Sequence, residues 1–122
     1  MKLIAIAVSA LALQAVGFKA TFIGGGHSPA INVRWPYTVK VTDLKGKPLA
    51  ARITAVVIDP IGMVHPVEFF ANKKTVTNYP IKGTFRDAIL WPVESKGYLL
   101  TFRVTVRVGT TKRVLKYLLT PQ

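Results

Sequence analysis

The sequence predicts an all-β fold, a β-sandwich of about seven strands preceded by an N-terminal hydrophobic helical segment. After residue 33, short runs rich in β-branched and aromatic residues are separated by turn residues at intervals of about ten positions, which is typical of sandwiches and barrels. No stretch of this region has a helical hydrophobic period. By contrast, residues 3–16 form a continuous run without any charged side chain.

The composition limits what kind of protein this is. Its 122 residues leave room for one domain. Half of them are hydrophobic, which excludes an intrinsically disordered chain despite a formal net charge of +12. The chain contains no cysteine, and this excludes disulfides, thiolate nucleophiles and cysteine-ligated zinc. The domain must therefore be held together by the packing of its core.

Residues 1–20 are predicted to be a signal peptide or a membrane anchor. Lys2 precedes the apolar run, and small residues up to Gly17 suit signal-peptidase cleavage, which would make Phe18 the new N-terminus. The alternative is an uncleaved anchor, with the short apolar run extended to cover residues 1–23. Because Lys2 lies at the short end, both interpretations place the rest of the chain outside the cytoplasm.

Residues 21–32 are predicted to be a glycine-rich linker, and residues 33–122 the sandwich domain. The three adjacent glycines 24–26 suit a flexible connection between an export segment and a folded domain. Three glycines in a row could also belong to a phosphate-binding loop, but no Gly-Lys-Ser or Gly-Lys-Thr follows them. The linker is therefore the simpler interpretation.

The clearest predicted strand is 98–108, where apolar residues alternate with threonine and arginine, so that one face packs in the core and the other meets water. If the chain turns at 109–112 and Val108 faces Arg113, the next strand keeps its apolar residues on the same side. The outer side then holds Arg103, Arg107 and Lys116. Including these two, the predicted strands lie near residues 37–42, 49–58, 63–70, 74–78, 84–91, 98–108 and 113–120.

Residues 39–49 read Val-Lys-Val-Thr-Asp-Leu-Lys-Gly-Lys-Pro-Leu. This stretch resembles the opening shared by many bacterial immunoglobulin-like and fibronectin-type-III-like surface domains, and the strand 98–108 with its hairpin resembles their last two strands. The resemblance implies an immunoglobulin-like sandwich. It implies fold rather than function, because these motifs recur in functionally unrelated domains. Trp35 and Trp91 are not flanked by cysteines, unlike the tryptophan of an antibody domain.

The sequence offers few residues for catalysis. His65 and Glu68 are three positions apart in a predicted strand, an odd separation that directs their side chains to opposite faces. Asp43 and Asp59 precede turns, where an aspartate accepts hydrogen bonds from its own backbone. No serine lies in a nucleophile-elbow context. We therefore expect no catalytic residue, no metal site and no cofactor, and hence a protein that is not an enzyme.

The basic excess has two interpretations. From residue 21 on, 15 basic side chains oppose 5 acidic ones, more than a small domain needs for solubility. The alternative to solubility is a surface that meets a polyanion: anionic lipid head groups, an acidic polymer or an acidic protein. Our hypothesis for that site is Arg103, Arg107 and Lys116. The predicted export argues against nucleic acid as the partner, and the oligomeric state is left open.

The aromatic residues also have two interpretations. Trp35, Tyr37, Tyr79 and Trp91 could form a platform on which sugar rings stack, or they could close the ends of the sandwich. Together the observations predict a non-catalytic extracytoplasmic binding or structural module that engages an anionic envelope component or a larger surface assembly. The alternative is a small single-pass membrane subunit of a protein complex with an extracytoplasmic β-sandwich.

Overall fold

The computed structural model describes residues 17–122, and in this part of the chain it is a two-layered β-sandwich with almost no helix. A single 3₁₀ turn spans Val93–Ser95. The predicted N-terminal helical segment falls mostly on residues 1–16, outside the described residues. The eight strands are β1 (Phe18–Gly24), β2 (Arg34–Asp43), β3 (Ala50–Ile58), β4 (Val64–Pro66), β5 (Tyr79–Lys82), β6 (Thr84–Leu90), β7 (Leu100–Val108) and β8 (Thr111–Leu119).

The strands form two antiparallel sheets. The three-stranded sheet has the order β1-β2-β6. The five-stranded sheet has the order β4-β3-β7-β8, and β5 also pairs with β3, at the opposite end of that strand from β4. Two short strands therefore share one edge of this sheet, where a sandwich would otherwise have one long strand.

The core lies between the sheets and is filled by every second side chain of the strands. Phe102, Val104 and Val106 of β7 are fully buried, as are Val39 and Val41 of β2. Their polar neighbours along each strand point outward, because successive side chains of a strand point to opposite faces. The inward positions of the two central strands thus supply most of the contact between the layers.

Aromatic rings join the two layers at the centre of the core. The ring centroid of Phe102 lies 4.7 Å from that of Tyr37, 5.1 Å from that of Phe22 and 5.6 Å from that of Trp35. Phe102 belongs to the five-stranded sheet and the other three to β1 and β2. Tilted ring pairs at these distances stabilise a core beyond the effect of buried area alone.

The first strand corrects the predicted division of the N-terminal region. The predicted export segment extends to residue 20 and the linker covers residues 21–32, whereas β1 extends across that boundary and pairs along its whole length with β2. Phe18 is buried, with Lys19 and Thr21 exposed. Residues 18–24 show the alternation of an edge strand. Because they directly follow the apolar run, the sequence favours their interpretation as a continuation of that run. Residues 18–24 therefore belong to the sandwich and not to an export segment or a linker.

Two of the three glycines of the predicted linker, Gly24 and Gly25, are packed against aromatic side chains. A Cβ on Gly24 would lie 2.6 Å from the Tyr117 ring, and one on Gly25 would lie 2.9 Å from the side chain of Trp35. His27 stacks on the same Tyr117 ring at 4.2 Å. Glycine is present here because the backbone approaches these rings closely, and flexibility is not its role.

The middle of the chain departs from the predicted strands. The predicted strand 63–70 shortens to β4, and the predicted strand 74–78 is replaced by the later strand β5. In the intervening segment, the amide of Val67 donates to the carbonyl of Ala55, and the amide of Ala55 donates to the carbonyl of Val76. These hydrogen bonds satisfy buried backbone groups without a regular strand ladder. A composition rich in β-forming residues was therefore not enough to predict strands in this segment.

The last hairpin has a shorter turn than predicted. Val108 pairs with Thr111, not with Arg113, and the loop is the two residues 109 and 110. Gly109 adopts a left-handed φ of 57°, which a two-residue hairpin turn requires. The register therefore shifts by two residues from the predicted one. Because two is the side-chain period of a strand, every side chain of β8 stays on its predicted face.

We expect Phe102→Ala to destabilise the domain by about 3 to 5 kcal/mol, because it removes the ring that contacts both layers and leaves a cavity. Thr105→Ala, on the outer face of the same strand, should change the free energy of unfolding by less than about 1 kcal/mol. Urea denaturation of both variants measures the difference. Equal losses would mean that the inward face of β7 does not form the core.

Tyr37 gives a second prediction about the core. Its hydroxyl is buried with no hydrogen-bond partner among residues 17–122, and burial, followed by the nearby Asp87 carboxylate, raises its pKa far above the ordinary value of about 10. The folded state therefore favours the neutral phenol. That contribution to stability is complete below pH 10, the pKa in the unfolded chain, and is lost as the pH rises above it.

Tyr37→Phe should therefore be at least as stable as the wild type at pH 7, because no satisfied hydrogen bond is removed. Above about pH 10, the variant should lose less stability than the wild type. Urea unfolding at pH 7 and pH 11 tests both statements, and the difference between the proteins cancels the titration of the lysines. A variant that follows the wild type at high pH would show that the phenol ionises within the core.

Candidate functional site

The structure places all three predicted polyanion-binding residues on one surface, the outer face of the five-stranded sheet. Arg103 and Arg107 point outward from β7, and Lys116 of β8 lies directly opposite Arg103. The pairing also brings Arg52 of β3 and Lys112 of β8 to either side of Arg107. We call this surface the basic face; it consists of Arg52, Arg103, Arg107, Lys112 and Lys116.

Two of these residues were missed by sequence reasoning. Arg52 reaches the basic face because β3 pairs with β7 and places it opposite Arg107, 55 residues later, and no local pattern predicts that register. Lys112 was assigned to a turn and becomes part of the face because the turn is shorter. The outward position of Arg52 in the alternating pattern of β3 was the one available signal.

The positive charges of the basic face are not balanced by carboxylates. Among residues 17–122 the structure has one side-chain ion pair, between His65 and Asp59, and it lies elsewhere. Arg52 donates from Nη1 to the backbone carbonyl of Asn78 at 2.8 Å, and the buried Nε of Arg103 has no partner in the described part of the chain. Like charges directly opposite each other are destabilising. This arrangement therefore costs stability unless an anion binds.

The basic face also carries apolar side chains. Val114 lies between Lys112 and Lys116 on β8 and is 46% exposed, and Leu118 follows at 49%. Neighbouring strands are about 4.8 Å apart and Arg103 is about 13 Å from Arg107 along β7, so the charges form a small grid. The outward side of β8 thus alternates strictly between cationic and apolar residues.

A second surface feature is a groove of about 680 Å³ at one end of the sandwich, which we call the end groove. It lies between the end of β6 with the segment after it and β4 with the segment that follows Pro66. Buried Trp91 and Leu100 are among its walls. Its lining is Val57, Asp59, Pro60, Ile61, His65, Pro66, Val67, Glu68, Phe69, Phe70, Lys73, Ala88, Ile89, Leu90, Trp91, Pro92, Glu94, Ser95, Tyr98 and Leu100.

The end groove collects most of the acidic residues of this basic protein. Of the chain's 5 Asp and Glu residues, Asp59, Glu68 and Glu94 line the groove. Asp87 lies beside it and accepts a hydrogen bond from the amide of Phe70 at 3.2 Å. Lys73 is the one lysine in the lining, which contains no arginine. We call the groove the acidic pole of the described domain; its basic neighbours are Arg34 and Lys73, which lie over the Phe70 ring at 5.4 and 5.9 Å.

Asp59 has a structural role at the rim of this groove. Its Oδ1 accepts hydrogen bonds from the amides of Ile61 and Met63, and its Oδ2 lies 2.9 Å from Nε2 of His65. The hydrogen bond with His65, with smaller effects from the two amides, lowers the pKa of the Asp59 carboxyl below its usual value. The expected turn-capping roles are confirmed here and at Asp43, whose Oδ1 accepts from the amides of Lys45 and Lys47.

The remaining candidate residues do not form a binding site together. Trp35, Tyr37 and Trp91 are buried, and Trp35 contacts Trp91 edge-on at 5.4 Å, so they close the sandwich and cannot serve as an exposed stacking platform. His65 contacts Asp59 and not Glu68. Within residues 17–122 no three histidine or acidic side chains are grouped closely enough to hold a metal ion.

Comparisons with known proteins do not assign the chain to a family. No family model matches the chain, and no curated protein matches it. Among solved structures, the chain is similar to a DUF4466 family protein from Parabacteroides merdae ATCC 43184, at 13% sequence identity and a TM-score of 0.46. The match covers 89% of this chain and 45% of that one, so the chain spans less than half of the protein it matches. In the described residues, no helix is long and apolar enough to span a bilayer.

Proposed function

We propose that this protein is a non-catalytic extracytoplasmic module, with an immunoglobulin-like sandwich, that binds an anionic component of the cell envelope through its basic face. The observation that carries the proposal is the grid of five outward arginine and lysine side chains on β3, β7 and β8, without a carboxylate partner in the described domain. The immunoglobulin-like description rests on the resemblance of residues 39–49, which form the end of β2 and the turn into β3, and of β7 with the hairpin that follows it.

Phosphate groups are the anions that this face suits best. Arginine presents a planar fork that binds a phosphate through two parallel hydrogen bonds, and lysine adds a point charge. A repeating polymer or a layer of lipid head groups presents several phosphates at once. The side chains of the basic face can then make several weak contacts with it at the same time. Binding would also relieve the repulsion between Arg103 and Lys116 and between Arg107 and its two neighbours.

The start of the domain supports export with cleavage. β1 begins at Phe18, the residue that the predicted cleavage would leave as the N-terminus, and its side chain is buried. An uncleaved anchor would need to extend into residues 22 and 23 to span a bilayer, but these belong to β1. We therefore favour a cleaved signal peptide over the membrane-subunit alternative.

The basic face gives a binding prediction. Arg107→Glu combined with Lys116→Glu should reduce binding to phosphatidylglycerol-containing vesicles and to inorganic polyphosphate by more than tenfold, because both side chains are exposed and belong to the grid. Vesicle co-sedimentation and fluorescence titration measure the two arms. Binding should weaken as the ionic strength rises, since the Debye length falls from about 30 Å at 0.01 M to about 8 Å at 0.15 M.

Lys45→Glu combined with Lys47→Glu is the matched control, because it changes the net charge equally in the turn between β2 and β3. This variant should keep most of the binding. Equal losses in the two double variants would show that the overall charge acts and that the basic face is not a site. A wild type that binds neither probe at low salt would refute the proposal.

The export step has a separate test. N-terminal sequencing of the protein secreted by its host, or by a bacterial host expressing the full chain, should begin at Phe18. Material recovered from the membrane fraction with an intact Met1 would support the single-pass alternative. A soluble intracellular protein with an intact Met1 would contradict both, and it would reopen nucleic acid as a partner.

A further inference from the structure

We propose that the end groove of one copy of this protein binds the outward side of β8 in a second copy. This goes beyond the proposed function, because it assigns an occupant to a surface that polyanion binding does not use. The inference rests on complementarity between two surfaces of the same chain: an apolar groove with an acidic rim, and an exposed strand that alternates cationic and apolar residues.

The charges of the two surfaces are opposite. Asp59, Glu68 and Glu94 line the groove, and Glu68 and Glu94 are exposed. The outward side of β8 presents Lys112 and Lys116. In a protein of net charge +12, self-association needs a local region that offsets the overall repulsion, and the acidic pole is the region that can supply it. Contact between these surfaces would pair Lys112 and Lys116 with Glu68 and Glu94, which have no ion-pair partner within one described chain.

The apolar parts of the two surfaces also match. The groove and its margin expose Ile61, Leu90 and Tyr98, with Ile61 82% accessible. β8 exposes Val114 and Leu118 between and beside its lysines. Protein interfaces combine buried apolar side chains with charged and polar ones. An interface that buries these residues would gain hydrophobic stabilisation, while the charged rim sets the register.

Such a contact would be head-to-tail, because it joins two different surfaces. The groove lies at one end of the sandwich and β8 on the side of the five-stranded sheet, so each copy would use two different surfaces. A contact between two different surfaces leaves one of each unoccupied, and copies can therefore be added at both ends. Polyanion binding at the basic face would compete with this contact, because both use Lys112 and Lys116.

Sedimentation velocity of the mature protein at an ionic strength of about 0.15 M tests the proposal. The wild type should form oligomers that grow with concentration. Glu68→Gln with Glu94→Gln, and separately Lys112→Gln with Lys116→Gln, should each weaken association by at least tenfold. Thr21→Lys with Thr84→Lys is the control for the first pair, because it raises the net charge equally on the outer face of the other sheet. This control should associate nearly as well as the wild type.

Mixing the two defective variants is the decisive measurement. One retains β8 and the other retains the groove, so an equimolar mixture should form dimers and stop at that size. A mixture that remains monomeric, or a wild type that remains monomeric at millimolar concentration, would overturn the proposal. The Glu68→Gln, Glu94→Gln variant should still bind polyphosphate. If the wild type associates with itself but does not bind polyphosphate, the proposed function is refuted and the proposed self-association is not.

Discussion

The contact of the Phe102 ring with Phe22, Trp35 and Tyr37 is the interaction on which the rest of the fold depends. The chain has no cysteine, and its described part has no long helix to cover a sheet. Cohesion between the layers must therefore come from inward side chains, and the largest of these meet at Phe102. Close packing in that region also explains Gly24 and Gly25, where the backbone has no room for a Cβ.

The dependence of the fold on inward packing also determines where the basic and acidic residues lie. Every inward position of the central strands is used for packing, so charged residues lie on outer faces, on edge strands, in turns and at the ends. The arginines of β7 alternate with core residues and necessarily gather on one face. Asp43 and Asp59 lie at turns, where they accept hydrogen bonds from the backbone. A basic face and an acidic end follow from these local requirements, and both become available as binding surfaces.

Sequence reasoning succeeded where the relevant period was local. The alternation of residues 98–108 placed Arg103 and Arg107 on the same face as Lys116, and this survived a two-residue error in register because the error equals the period of a strand. It failed where structure depends on distant partners. β1 is a strand because β2 lies beside it, Arg52 joins the basic face through β7, and the end groove is assembled from separate segments of the chain.

The two ends of the described chain are joined directly. The amide of Thr120 donates to the carbonyl of His27 at 2.8 Å, the amide of Gln122 donates to the carbonyl of Pro29 at 2.9 Å, and His27 stacks on Tyr117. The sandwich therefore cannot close until its last strand has been synthesised. Contacts of such long sequence separation form slowly. A chain with this topology completes its fold only once residues 120–122 can contact residues 27–29. Such a delay would suit the export proposed above, because the chain would still be unfolded when it is transported.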